Sequence, residues 1–341
     1  MIKFFLEPFL SIDKHCYQHP IVALAEGLRA LEIPFIGNID YWYDLEKMEY
    51  LITQDNDRAF DVAVFSHHYA TRNDTLKITA NLRVVTDLCD GPYGCMDLIG
   101  LSKFDLYLKA HYNRNFKYGG NVYPWAFGLT ERIINAIDNS GVKEMTFTST
   151  VLDTFRVFHP LRAKLVHMIR DTGLEINGFE DYQPDEDYPS YCAQTGRRHS
   201  ASYYQTLNSS TFCLAFGGYF SIKPQLPRIA KSIIYRLVDK HNLFIHPALH
   251  TITQFDSWRF WESMYSQSIP IHVNLDDWGL VLPVQPQPYV HYVPTAIDKF
   301  ELVDLSTNQL ETLSHNSKNF AYENYAPIPT ARRFLNLIES L

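Results

Sequence analysis

Long basic runs are missing from this chain of 341 residues, whose formal net charge is −8. Nucleic-acid backbones are gripped by clustered Lys and Arg, so no nucleic-acid partner is expected. A local basic patch that holds a phosphorylated small molecule is still allowed. Cysteine is scarce as well: Cys16, Cys89, Cys95, Cys192 and Cys213 form an odd set in no metal-ligand spacing. Cys89 and Cys95 stand too far apart for a CxxC site, and the pattern predicts reduced thiols in a cytoplasmic protein. The amino terminus, MIKFFL, carries one positive charge and reaches Glu7 and Pro8 before any long apolar region develops. No other apolar run approaches the roughly 20 residues of a membrane span, so neither a signal peptide nor a transmembrane segment is expected. Repeats, low-complexity tracts and a Walker motif are also missing.

What remains is a globular composition, 46% hydrophobic and 20% charged. The length suits two domains of about 150 residues each. With 22 Tyr and 22 Phe, ring-lined surfaces are available for flat or sugar-like ligands, although most rings belong to the core.

Apolar runs and helical segments alternate along the chain. Ile2 to Leu6 reads as a buried strand, and IVALAEGLRAL, from Ile21 to Leu31, as a helix that ends before Pro34. IPFIGNI, FDVAVFSHH, LRVVTDLCD and FDLYLKAHY continue the pattern, which is that of an α/β layer with a parallel sheet. Residues 1–127 are expected to form a first Rossmann-like domain. Pro124 and Gly128 punctuate a crossing into a second, 128–325, where EMTFTST, LEINGF and the strand of SYYQTLNSSTFCLAFGG restart the alternation. Residues 326–341 make an amphipathic helix able to pack across either domain.

Two stretches, YYQTLNSSTFCLAFGG and SWRFWESMYSQSIPIHV, resemble the C-terminal domain of exostosin-like glycosyltransferases, members of the GT-B class built from two facing Rossmann-like domains. In that family a Ser-Xaa-Phe-Cys-Leu run and a glycine turn precede an Arg-Xaa-Xaa-Glu helix and a Gly-Ile-Pro-Val-like strand. Here Ser210 to Leu214, Gly217, Arg259, Glu262 and Ile269 to Ile271 take those places. The chain departs from the pattern at Ser268, where the family has glycine, and in the long connection after Gly218. The resemblance covers about a quarter of the chain and implies a metal-independent transferase without a cofactor, using a nucleoside diphosphate sugar as donor and a glycan or small-molecule hydroxyl as acceptor. Alternatives on the same fold are a sugar-nucleotide epimerase and a noncatalytic carbohydrate- or nucleotide-binding protein.

Arg259 and Glu262 are three apart and share a helix face. In the resembled family the glutamate accepts hydrogen bonds from the donor ribose, and a carboxylate can accept from both ribose hydroxyls. Diphosphate binding requires arginine forks or backbone amides. Arg156 and Arg162 follow the first strand of the second domain, where open sheets bind ligands, and Gly217 and Gly218 allow close backbone approach. Arg197 and Arg198 form a further basic pair. An inverting transfer needs a base from the first domain. Glu7, His67, His68 and Asp90 all follow its strands, and the residues leave open which of them serves. Asp276 and Asp277, adjacent rather than alternate, and His246 with His250 across Pro247, do not read as metal ligands.

Overall fold

A computed structural model describes residues 1–8, 18–44, 47–137, 144–149, 169, 175–178, 201–215, 220–222, 226–227, 229–231, 247–296 and 305–341. The chain opens with strand β1 (Ile2–Phe5), buried throughout, followed by helix α1 (His19–Ala30) and strand β2 (Phe35–Gly37). Pro20 sits in the first turn of α1, where its missing N–H costs no hydrogen bond. A short antiparallel hairpin of β3 (Tyr41–Asp44) and β4 (Glu49–Ile52) follows. Next come β5 (Val62–Ser66), α2 (His67–Arg72), β6 (Leu82–Asp87), α3 (Met96–Ile99), β7 (Leu106–Lys109), β8 (Tyr112–Asn113) and β9 (Val122–Pro124).

Six of these strands form one parallel sheet in the order β2-β1-β5-β6-β7-β9. Strands covered on both faces read as continuous apolar runs, which is why IKFF and VAVFS were visible in the sequence. The chain leaves β1 towards β2 on one side and then crosses to β5 on the other. That reversal opens a crevice at the carboxyl ends of β1 and β5, the usual ligand position in open α/β sheets.

After β9, α4 (Glu131–Ala136) is capped by Thr130, whose hydroxyl accepts from the Ile133 amide at 3.4 Å. The second half comprises β10 (Glu144–Ser149), β11 (Ile176–Gly178), α5 (Ala201–Ser209), β12 (Ser210–Leu214), β13 (Phe220–Ile222), β14 (His250–Ile252), α6 (Trp258–Tyr265), β15 (Ile269–Val273), β16 (Leu280–Val281) and β17 (Val293–Thr295). Five of them make a second parallel sheet, β11-β10-β12-β15-β17, with the same reversal beside its first strand. Two long helices end the chain, α7 (Thr307–Tyr325) and α8 (Pro327–Glu339).

Each sheet has its own apolar core. Helix α7 packs on α6 and β15, with Tyr325 stacked 3.8 Å from Trp261. Helix α8 turns back to α1, where Ala331 and Phe334 join the core of the first sheet. Gly27 makes that approach feasible: a Cβ there would lie 2.0 Å from the Pro327 carbonyl oxygen. The halves also meet where β8 pairs antiparallel with β16, and Asn113 donates to Trp278 O at 3.0 Å and to Thr251 Oγ1 at 3.2 Å. No helix among the described residues is long and apolar enough to cross a membrane.

Candidate functional site

The carboxyl edge of the first sheet gathers Glu7 after β1, His67 and His68 at the start of α2, and Asp90 in the loop after β6. Glu7 is buried and faces Arg72 at 3.5 Å and Asn73 at 3.4 Å. The His67 and His68 rings lie tilted against each other with centroids 4.0 Å apart, in a turn fixed by Ser66 accepting from the Tyr69 amide. Burial pushes His67 down to about 4, against the opposing pull of the Asp87 carboxylate. The ring is therefore neutral and a weak base at neutral pH.

Beneath them lies a buried ionic cluster. Asp87 and Lys109 are register partners at the ends of β6 and β7, 3.6 Å apart and both fully buried. One Asp87 oxygen accepts from the Cys89 amide at 2.9 Å; the other accepts from Tyr107 Oη at 2.7 Å and the Cys95 amide at 3.1 Å. Lys109 Nζ donates to Cys89 O at 3.0 Å. Burial lowers the lysine's affinity for its proton and Asp87 restores part of it. Gly94, at φ +57°, lets the loop close over this pair, because a Cβ would stand 2.3 Å from the Asp87 carboxylate.

Reduced cysteines were expected, but the structure joins Cys89 and Cys95 in a disulfide, with Cα atoms 6.1 Å apart. The reason is the Asp87 carboxylate, which draws both cysteine amides to itself and so brings the two ends of the loop together. Cys213, also among the described residues, is buried and outside that disulfide.

The same loop meets the second half of the chain. Gln254 donates its amide to Asp90 O at 3.1 Å and its side-chain nitrogen to the Asp90 carboxylate. It does so at φ 57°, in the left-handed region that side-chain-bearing residues seldom occupy. Two residues on, Asp256 donates its amide to His111 Nδ1 at 3.3 Å, while its carboxylate accepts from the Phe127 amide and from Trp261 Nε1. Burial raises Asp256 to about 7, opposed by those hydrogen bonds. His111 is driven well below its ordinary value by burial and by Lys109. Its Nε2 is a buried atom with no hydrogen-bond partner among the described residues.

Helix α6 begins directly after this contact. Glu262 is 3% exposed and accepts from Tyr203 at 2.7 Å and Tyr204 at 3.3 Å, both on α5. Burial, with the Glu262 charge second, drives both phenols well above their ordinary range. One turn earlier, Arg259 is half-buried, and its Nε and Nη1 are buried atoms that meet no acceptor among the described residues. Arg259 is close enough to Tyr203 to lower its pKa in part.

Glu7, His67, His68 and Asp90 thus share one edge, and the Asp90 loop touches the approach to the helix of Arg259 and Glu262. Arg156, Arg162, Arg197, Arg198, Gly217 and Gly218 lie outside the described residues. Sequence reasoning missed Asp87, Tyr107, Lys109, His111, Gln254, Asp256, Tyr203 and Tyr204. For Asp87 and Lys109 a signal existed: Asp and Lys close otherwise largely apolar runs, VVTD and LYLK, where a buried parallel strand has no place for an unpaired charge.

No protein-family model matches the chain, and no curated protein matches it in sequence. The exostosin-like resemblance accordingly rests on the residues quoted for it. Among solved structures, the α/β fold with its parallel sheets is similar to that of a glycosyltransferase. That structure is AviGT4, a glycosyltransferase involved in Avilamycin A biosynthesis, with a TM-score of 0.52 over 100% of this chain and 97% of that one at 10% identity. At that identity the likeness is one of fold.

Proposed function

We propose that the chain is a glycosyltransferase of the GT-B type, moving a sugar from a nucleoside diphosphate sugar to a hydroxyl acceptor, with residues 1–127 as acceptor domain and 128–325 as donor domain. The observation that carries this reading is Arg259. A guanidinium with two buried nitrogens that meet no acceptor among the described residues is poised for an anion, because leaving such donors unmet is costly. A diphosphate supplies the acceptors, and its charge is met by the arginine rather than by a metal ion. Glu262, one turn away, accepts from two tyrosine hydroxyls, and a carboxylate is the group type that accepts from ribose hydroxyls.

On the acceptor side we assign Asp90 as the base of an inverting transfer. Glu7 faces the cation of Arg72, whereas the Asp90 carboxylate meets the uncharged Gln254 amide, and the depressed basicity of His67 suits it poorly to take a proton near neutrality. Asp90 sits on a loop anchored beneath by Asp87 and across by Gln254, which holds it against the approach to α6. The fold shared with AviGT4 supports this assignment of class. Catalysis would come from holding donor and acceptor together and from stabilising the departing diphosphate.

A thermal-shift screen with UDP-, GDP-, ADP-, dTDP- and CMP-sugars tests the proposal. One of the diphosphate sugars is expected to raise the melting temperature at concentrations above its Kd, and turnover of that donor with hydroxyl acceptors to give a transferred sugar follows. No shift with any of them would reject the proposal.

A further inference from the structure

The Cys89–Cys95 loop and His67 bring together three ligand atoms that sugar transfer does not use. Both sulfurs and a ring nitrogen of His67 lie within 4.8 Å of one another. We propose that they form a redox-gated site for a soft divalent metal ion, closed in the disulfide and open in the dithiol. A tetrahedral zinc ion takes thiolates at about 2.3 Å and imidazole at about 2.0–2.1 Å, which sets its ligand atoms roughly 3.5–3.8 Å apart. The ring nitrogen and the sulfurs lie within 4.8 Å of one another, and the sulfurs, bonded to each other in the disulfide, reach that spacing by turning apart once reduced.

What distinguishes this trio from an ordinary disulfide beside a histidine is that the backbone does not depend on the S–S bond. The Cys89 and Cys95 amides are both tied to the Asp87 carboxylate, which is itself fully buried and held by Tyr107 and Lys109. Reduction therefore frees the sulfurs to turn about their own side-chain bonds while the loop ends stay in place. His67 is fixed independently, at the buried start of α2 behind the Ser66 cap. Three protein ligands leave a fourth position for water or another small donor, the pattern of sites that keep an open coordination position.

The chemistry balances with a dithiol as reductant. Two electrons and two protons pass to the Cys89–Cys95 bond, which opens to two thiols, and the dithiol closes to its own disulfide. Metal binding then releases the two thiol protons as thiolates form. The metal site is separate from the donor diphosphate position, and its failure would leave the assignment of Arg259 untouched.

Cobalt(II) tests it without reference to activity. The protein is prepared oxidised and, in parallel, reduced with dithiothreitol and desalted without oxygen; each is titrated with Co²⁺. The reduced protein is expected to bind a single ion per chain, with thiolate-to-cobalt absorption in the near ultraviolet and intense tetrahedral visible bands that Zn²⁺ abolishes. The oxidised protein should show none. Loss of a partner that only orients a ligand costs roughly 10–100-fold in affinity, so Cys95→Ser should weaken binding by more than about 100-fold. A Cys16→Ser/Cys192→Ser variant should keep the bands. Absence of the bands in reduced wild-type protein, their persistence in Cys95→Ser, or loss of the native circular dichroism on reduction, which would make the disulfide purely structural, would each overturn the proposal.

Discussion

Removing either end of the Asp87–Lys109 pair should unsettle the molecule more than its single contact suggests. At 3.6 Å and with both side chains fully buried, the pair attracts by about 4.6 kcal/mol at an effective dielectric constant of about 20. Much of that offsets desolvation, so the informative quantity is the loss on breaking the pair, about 3–5 kcal/mol for a single buried partner. Asp87→Asn removes the paired carboxylate and leaves Lys109 the Cys89 carbonyl and the more distant charge of Asp90, and the variant should fall in this range. Lys109→Met leaves Asp87 its two amides and the Tyr107 hydroxyl, and should cost less than Asp87→Asn. The double variant Asp87→Asn/Lys109→Met should lose less than the sum of the singles, since neither charge is then stranded. Urea unfolding of the four proteins measures the coupling. Strict additivity, or single variants within about 0.5 kcal/mol of wild type, would show that the pair is not what holds the Asp90 loop.

Further outcomes follow from other contacts. Burial raises Glu26 from 4.5 to about 8, so between those values the folded chain keeps a proton that the unfolded chain has released. Its contribution is fully present below pH 4.5 and is lost as pH rises towards 8, by several kcal/mol at most. Asp256, raised from 3.8 to about 7, acts in the same direction. Melting temperatures measured from pH 5 to pH 8 should fall for wild type and fall less for Glu26→Gln, which keeps an acceptor for the Glu131 amide. Tyr203→Phe removes the 2.7 Å hydrogen bond to Glu262 and should cost about 1.5–3 kcal/mol in stability by chemical denaturation. Asp90→Asn should lower turnover by roughly 10²–10⁴-fold in a transfer assay while leaving nucleotide affinity unchanged, since the donor contacts lie on α6.

The sheets were readable because buried parallel strands are largely apolar: IKFF, VAVFS and STFCL each formed where that pattern placed them. The β3–β4 hairpin was hidden by its mixed sequence, and α7 by its polar composition, although Ser306 and Gln309 form a capping box at its start. Candidate bases could be proposed from their position after strands, since carboxyl ends of parallel strands collect ligands. What links them could not be read. The Asp87–Lys109 pair depends on the register of β6 against β7, and the Gln254–Asp90 contact spans 164 positions. The cysteines were misjudged because spacing alone does not show that one carboxylate gathers both amides of the loop.

The central claim is that Arg259 receives the diphosphate of a sugar nucleotide, and calorimetry of wild type, Arg259→Ala and Glu262→Gln with the best nucleoside diphosphate measures it directly. Loss of a hydrogen bond involving a charged group costs about 1.5–3 kcal/mol, so Arg259→Ala should weaken binding by roughly 10- to 150-fold. Glu262→Gln should weaken the diphosphate and the corresponding nucleoside by similar factors, since both carry the ribose proposed for it, whereas Arg259→Ala should leave the nucleoside unaffected. Equal affinity for the diphosphate in wild type and Arg259→Ala would contradict the account.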